Sequence, residues 1–243
     1  MANHTAGIIV IGNEILSGKV TDANSPFMAE GLRELGVELR RIVTIPDEVD
    51  LIAREVREFR DAYDHVFTSG GVGPTHDDVT IEGIAQGLGR EVIRHPDLEE
   101  GIRRFVRGEA NEAQLKMAEV PEGAVLLQDE KMGFPTIQIE NIYVLPGIPE
   151  ILRKKFEALR DRFATEPYHL RVIYTRWNES AIAESLNQTM SEFPELLLGS
   201  YPKIGNPEYS VKLTIESKDE SYARRAFERL LTLLTAEAVV RTE

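Results

Sequence analysis

Short unbroken apolar runs alternate with stretches of helical spacing along the first part of this chain. Residues 6–11, 37–45 and 64–68 read as strands, and residues 24–35, 49–59 and 79–88 as helices. In the first helix Phe27, Leu32 and Leu35 share a side, and Gly36 stops it. Strands this apolar are buried on both faces. Their alternation with helices predicts a mostly parallel sheet between two helical layers, a three-layer α/β/α domain. Residues 97–117 read as helical with a break at Gly108 and the polar residues 109–112. Residues 124–127, 134–140 and 142–145 read as strands, and 150–163 as a helix with Pro149 at its first position.

Thr165-Glu166-Pro167 interrupts the pattern, which divides the chain into domains 1–165 and 166–243. Beyond the break come a strand (170–175), a helix (180–190), strands 195–200 and 209–216, a helix (221–234) and a strand (238–241). That order is βαββαβ, a small α+β domain. Its size predicts a role in assembly, as a homo-oligomer of two or three chains, or in covering a pocket on the first domain.

Composition narrows the partners. With 42% hydrophobic and 28% charged residues the chain has the balance of a globular protein, and it carries 41 acidic against 28 basic residues, a net charge of −13. No basic run offsets that charge, so a nucleic-acid partner is not expected. The absence of cysteine removes disulfides, thiolate metal sites and a thiol nucleophile. Residues 8–11 form an apolar run too short for a signal core or a membrane span, so no membrane partner is expected and a cytoplasmic location is the default.

The candidate chemistry concentrates in Thr68-Ser69-Gly70-Gly71-Val72-Gly73-Pro74-Thr75-His76-Asp77-Asp78, between a strand and a helix. Ligands bind at that end of an open α/β sheet, where free N–H groups and a helix N-terminus suit phosphate. Gly70, Gly71 and Gly73 let a ligand approach the backbone closely. A tight turn with Thr75 or Asp77 as helix cap is the plainer alternative. Asp77 and Asp78 would repel phosphate unless a cation intervened, and hard ions of the Mg²⁺ type take one or two carboxylates plus phosphate oxygens. Asn13 and Glu14 follow the first strand at the same sheet edge, as a polar turn or as part of a shared site. Asp22 and Asn24 are either caps of the first helix or ligand contacts. His76 reads as a turn residue, Trp177 and Tyr174 as packing, and no histidine sits at a spacing that would serve Ser17 or Ser69 in a triad.

The loop resembles the signature of the molybdopterin-binding, molybdenum-cofactor biosynthesis superfamily, in the branch found in competence/damage-inducible protein A (CinA) and at the N-terminus of FAD synthase. Ile11-Gly12-Asn13-Glu14-Ile15-Leu16-Ser17-Gly18, Thr21-Asp22-Ala23-Asn24, Val43-Thr44-Ile45-Pro46-Asp47 and Leu145-Pro146-Gly147-Ile148-Pro149-Glu150 carry the same likeness. So do Leu198-Gly199-Ser200-Tyr201-Pro202 and Val211-Lys212-Leu213-Thr214. Asp77 stands where the molybdenum-cofactor enzymes carry a basic residue, which favours the CinA and FAD-synthase branch. The chain ends at Glu243 without room for the adenylyltransferase or amidohydrolase domains of those proteins, so their activities are not carried over.

The resemblance implies a metal-dependent hydrolase of nucleotide diphosphate bonds, of the FAD or ADP-ribose pyrophosphatase type. Asp77 and Asp78 would hold Mg, Mn or Co, and Glu14 would orient water or complete the metal shell. Thr68, Gly70, Gly71, Gly73, Thr75, Asn24, Lys116, Pro146 and Gly147 would contact the ligand, a small nucleotide or a pterin. Lys116 is also explained as a solvated lysine at a helix end, and Pro146-Gly147 as a rigid turn. The alternatives are a molybdopterin-binding or adenylylating protein and a non-catalytic nucleotide-binding module.

Overall fold

The computed structural model describes residues 4–106, 109–128 and 134–243. The chain divides into two compact units, with the division between Thr165 and Glu166. The first unit runs β1 (Thr5–Ile11), α1 (Asn13–Leu16), α2 (Asn24–Glu34), β2 (Glu38–Ile45), α3 (Val49–Ala62), β3 (His65–Ser69) and α4 (Thr80–Leu88). It continues through β4 (Val92–Arg94), α5 (Pro96–Phe105), α6 (Glu112–Lys116), β5 (Glu119–Pro121), β6 (Val125–Leu127), β7 (Thr136–Ile139), β8 (Ile142–Leu145) and α7 (Pro149–Leu159).

Six strands form one sheet in the order β2-β1-β3-β8-β7-β6. The first four are parallel, and β7 and β6 run antiparallel to their neighbours. Side-chain alternation along β1 builds the two cores. Ala6, Ile8 and Val10 face Met28 and Leu32 of α2 and Phe156 of α7. Ile9 and Ile11 face Ile52 and Val56 of α3 and Ile84 of α4. The result is the three-layer α/β/α domain expected from the apolar runs.

The second unit contains β9 (His169–Thr175), α8 (Glu179–Glu192), β10 (Leu197–Pro202), β11 (Val211–Ser217), α9 (Glu220–Leu233) and β12 (Val239–Thr242). Its sheet has the order β10-β11-β9-β12, antiparallel throughout, with Ile173, Leu213 and Ile215 packed on Ile182 of α8 and Leu230 of α9. The βαββαβ order is therefore the one expected, and Tyr174 and Trp177 pack as expected, Tyr174 edge-on to Tyr209.

Several boundaries differ from the sequence reading for local reasons. The strand read as 134–140 is Thr136–Ile139, because Glu140 takes a left-handed φ of 51° and turns the chain into β8. The helix read as 150–163 is α7 followed by a 3₁₀ turn, Arg160–Arg162. The helical stretch 97–117 is two helices, α5 and α6, the second opened by a capping box between Asn111 and Gln114. Gly108, where the break was expected, lies outside the described residues. The two-stranded β4–β5 sheet and the single-turn α1 have no counterpart in the apolar pattern.

The junction between β3 and α4 controls the sheet end at which the loops gather. Gly70 has φ 105°, and a Cβ there would lie 2.2 Å from the Ile11 carbonyl oxygen of the neighbouring strand. Its N–H donates to the Leu145 carbonyl (3.2 Å), and its own carbonyl accepts from the Thr80 hydroxyl (2.9 Å). Gly70→Ala combines a backbone conformation that L residues rarely adopt with a clash against backbone. It should lower the free energy of unfolding in urea by about 2–4 kcal/mol. An unchanged denaturation midpoint would show that the junction tolerates a side chain.

Candidate functional site

At the carboxyl ends of β1, β3 and β8 the chain closes around a cavity of about 590 Å³, within the usual range for small-molecule sites. Three loops frame it: residues 12–24 after β1, residues 70–79 after β3, and residues 146–148 after β8. Asn24 fastens them together. Its buried side-chain amide donates to Ser69 Oγ (3.0 Å) and to the Gly147 carbonyl (2.8 Å), while its Oδ1 makes no hydrogen bond. Asp22 caps α2 by accepting from the backbone N–H groups of Asn24 (2.9 Å) and Ser25 (3.1 Å), and it also lines the cavity. The first loop is held from behind, where Asn13 N–H donates to Asp47 (2.8 Å) and Gly12 N–H to the Ile45 carbonyl (3.1 Å).

The glycine loop is shaped by its own polar groups. The Asp78 carboxylate accepts from the Thr75 backbone N–H (2.8 Å) and from the Thr75 hydroxyl. The Thr80 N–H closes the turn onto the Gly71 carbonyl (3.0 Å). Neither Thr75 nor Asp77 caps α4, contrary to the plainer reading. The helix starts at Thr80 after Val79 and has no side-chain cap. Among the described residues the N–H groups of Gly71, Val72 and Gly73 make no hydrogen bond, so three donors stand free at the cavity edge. Gly71 has φ 64°, whereas Gly73 is not in the left-handed region and an added Cβ would meet the Asp78 carboxylate first, at 2.7 Å.

The residues singled out in the sequence fall into two sets. Glu14, Asn24, Gly70, Gly71, Gly73, Asp78, Pro146 and Gly147 all line the cavity. Glu14 stands on α1, and its carboxylate folds over Gly12, 2.6 Å from where a Cβ would lie. Thr68, Thr75, Asp77 and Lys116 lie outside that lining. Thr68 is fully buried in β3, with a hydroxyl that makes no hydrogen bond.

Asp77 points outward beside His76. The Thr75 hydroxyl, which is shared between the two carboxylates, and the Asp77 N–H hold this carboxyl below its ordinary pKa, with His76 and Lys116 adding to the effect. Lys116 supports the loop from outside. Its ammonium donates to the Thr75 carbonyl (3.2 Å), lies 4.0 Å from Glu82, and borders a small recess shared with Gly73 and Asp78.

Other residues of the cavity carried no chemical signal in the sequence. Leu98, Met117, Phe134, Pro135 and Ile137 form an apolar wall, and Ile15, Val20, Ile148 and Ile151 contribute further apolar surface. Lys155 also lines the cavity, although it is buried, and burial pushes its pKa down to about 8. Its one sequence signal is position: Lys155 shares the apolar stripe of α7 with Leu152, Phe156 and Leu159, where a charge is out of place.

Among the described residues no three His, Cys, Asp or Glu side chains are close enough to hold an ion by themselves. Of the two adjacent aspartates Asp78 lines the cavity, and its hard oxygens fit an ion that is shared with ligand phosphates, the arrangement usual for Mg²⁺, whereas Asp77, expected from the sequence to share that ion, is turned outward and stands outside the lining. Among the described residues no helix is long and apolar enough to cross a membrane.

Comparison with known proteins identifies the family of the fold that carries the cavity. A protein of Archaeoglobus fulgidus is 37% identical over 227 residues, spanning 93% of this chain and 96% of its own length. A probable FAD synthase of Caenorhabditis elegans is 32% identical over 97% of this chain, which spans 51% of that relative's length. The crystal structure of the protein CinA of Thermoplasma acidophilum, whose function is described as unknown, superimposes with a TM-score of 0.61 and 28% identity. It covers 66% of this chain and 98% of its own. Residues 167–243 match the FAD synthase middle domain. Residues 7–164, which contain the whole cavity, match the probable molybdopterin-binding domain, and the chain belongs to that family.

Proposed function

We propose that the cavity hydrolyses a nucleotide diphosphate bond of the FAD or ADP-ribose type with the help of a divalent cation. The observation that carries the reading is the succession of three free backbone N–H groups and the Asp78 carboxylate along one edge of a largely apolar cavity. Donors of that kind bind phosphate oxygens, and the apolar walls accept the rings that a dinucleotide carries. Likeness to FAD synthases supports a flavin nucleotide as the ligand.

In this reading the N–H groups of Gly71, Val72 and Gly73 cradle the diphosphate, and Asp78 would hold Mg, Mn or Co beside it, with Asp77 adding negative charge from the solvent side. Bound there, the cation supplies charge neutralisation and activation of water. Glu14, on the lining of the same cavity, orients the attacking water and takes up its proton. The water oxygen joins one phosphorus, the bridging oxygen leaves with the other, and two monophosphates result: AMP with FMN, or AMP with ribose 5-phosphate. The 166–243 unit serves assembly into a dimer or trimer.

A second reading, binding or adenylylation of molybdopterin, is favoured by the description of the family to which residues 7–164 belong. The two readings separate when FAD, ADP-ribose and NADH are incubated with Mg²⁺, Mn²⁺ or Co²⁺ and the products weighed by mass spectrometry. Monophosphates support hydrolysis, and tight pterin binding without cleavage supports the second. Neither outcome would leave a non-catalytic nucleotide-binding module.

Asp78→Asn keeps the shape of the side chain and removes the charge. It should cut metal-dependent turnover by at least about 100-fold, with an unchanged far-UV spectrum. Full activity at limiting metal would remove Asp78 from the site. Gly73→Val, at a position with ordinary backbone, should leave the melting temperature within a few degrees and weaken pyrophosphate binding about tenfold or more. Undiminished affinity would reduce the loop to a turn. Residues 4–165 expressed alone should still bind nucleotide but elute as a smaller assembly in light-scattering chromatography. A folded fragment without affinity would bring residues of the second unit, Ser200 or Tyr201 first, into the ligand site.

A further inference from the structure

Lys155 takes no part in the steps above, yet its position is costly. It is 6% exposed, on the apolar stripe of α7, and among the described residues no carboxylate pairs with it. All three of its N–H groups are used. They donate to the Phe134 carbonyl (2.7 Å), the Pro135 carbonyl (2.8 Å) and Thr136 Oγ1 (3.5 Å). Phe134 and Pro135 precede β7 and have no place in its ladder with β6, which begins at Thr136. Their carbonyls therefore need a donor from elsewhere. A methionine would fill the same space without the cost of burying an ammonium, which is usually the more stable solution. The contacts of the ammonium point to what it does.

What it holds is one wall of the cavity against another. Phe134 and Pro135 line the cavity from the β7 side, and Ile148 and Ile151 line it from α7 and the turn before it. Lys155 lies one turn beyond Ile151 and bridges the two sides. We propose that Lys155 is a positioning residue that pins Phe134 and Pro135 to α7 and so sets the width of a slot for a flat heteroaromatic ring of the ligand. The inference rests on the nucleotide reading of the cavity. A flavin, a pterin and a purine share the required shape, and the walls above and below such a ring are apolar. Burial lowers the pKa of Lys155 to about 8.

The test uses the full chain with Mg²⁺ present throughout and four probes: FMN, pterin and AMP by fluorescence or calorimetric titration, and inorganic pyrophosphate for the glycine loop. Lys155→Met should weaken binding of the preferred ring about tenfold or more and leave pyrophosphate affinity within about twofold. Lys155→Arg should restore part of the loss, because it keeps the charge and several donors. Phe134→Ala, at a 38% exposed position where folding is not at stake, should reproduce the loss if Lys155→Met does not fold. Equal ring affinity in Lys155→Met or Phe134→Ala and the unaltered protein would overturn the inference, as would an equal loss of ring and pyrophosphate binding. An unaltered protein that binds pyrophosphate but no ring would overturn the slot and spare the glycine loop. Binding of neither would overturn the nucleotide reading and the inference with it.

Discussion

The geometry of the site depends on how the chain leaves β3. Gly70 adopts a conformation open to glycine, close against the Ile11 carbonyl of β1, and is held by the Leu145 carbonyl of β8 on one side and the Thr80 hydroxyl of α4 on the other. Three strands and a helix are thus fixed to one residue. Thr80 is fully buried, so its hydrogen bonds to Gly70 and Gly71 are shielded from water. The loop beyond can then present unpaired N–H groups without collapsing onto its own carbonyls.

Asn24 repeats the device on the other side of the cavity, joining α2, β3 and the turn after β8 through one amide. Lys155 repeats it again, between α7 and the approach to β7. In each case a polar group inside an otherwise apolar core fixes the relative position of loops that line the cavity. Such groups are costly when unpaired and strongly orienting when paired. The distribution follows the needs of a binding site: the sheet supplies rigidity through apolar packing, and a few buried polar contacts supply register at its carboxyl end.

Much of this was legible in the amino-acid sequence. Strands such as β1, with Ile8, Ile9, Val10 and Ile11 in succession, announce a sheet buried on both faces, and the glycines followed by two aspartates mark the sheet end where chemistry belongs. The βαββαβ unit was equally plain, since its strands and helices have ordinary lengths and clear punctuation. Other features could not be read. β4 is three exposed residues whose strand character comes from pairing with β5, a contact between segments far apart in the chain. Adjacent aspartates look alike in a sequence. Thr75 tells them apart in the fold, because its N–H goes to Asp78 alone, at the cavity edge, while its hydroxyl is shared with Asp77, which faces solvent. Lys155 looked like any helix lysine, and its apolar neighbours gained meaning only when α7 was seen to pack with that side against the sheet.

The central claim is that the turn of Gly71, Val72 and Gly73, with Asp78 beside it, receives the diphosphate. A crystal structure of the protein with Mg²⁺ and a methylene-bridged nucleotide diphosphate, which resists hydrolysis, tests it most directly. The account predicts phosphate oxygens within hydrogen-bond distance, about 2.7–3.2 Å, of those N–H groups, a cation between them and Asp78, and a ring against Phe134 and Pro135 or the opposing Ile148 and Ile151. A diphosphate bound elsewhere, or a cation held away from Asp78, would contradict it.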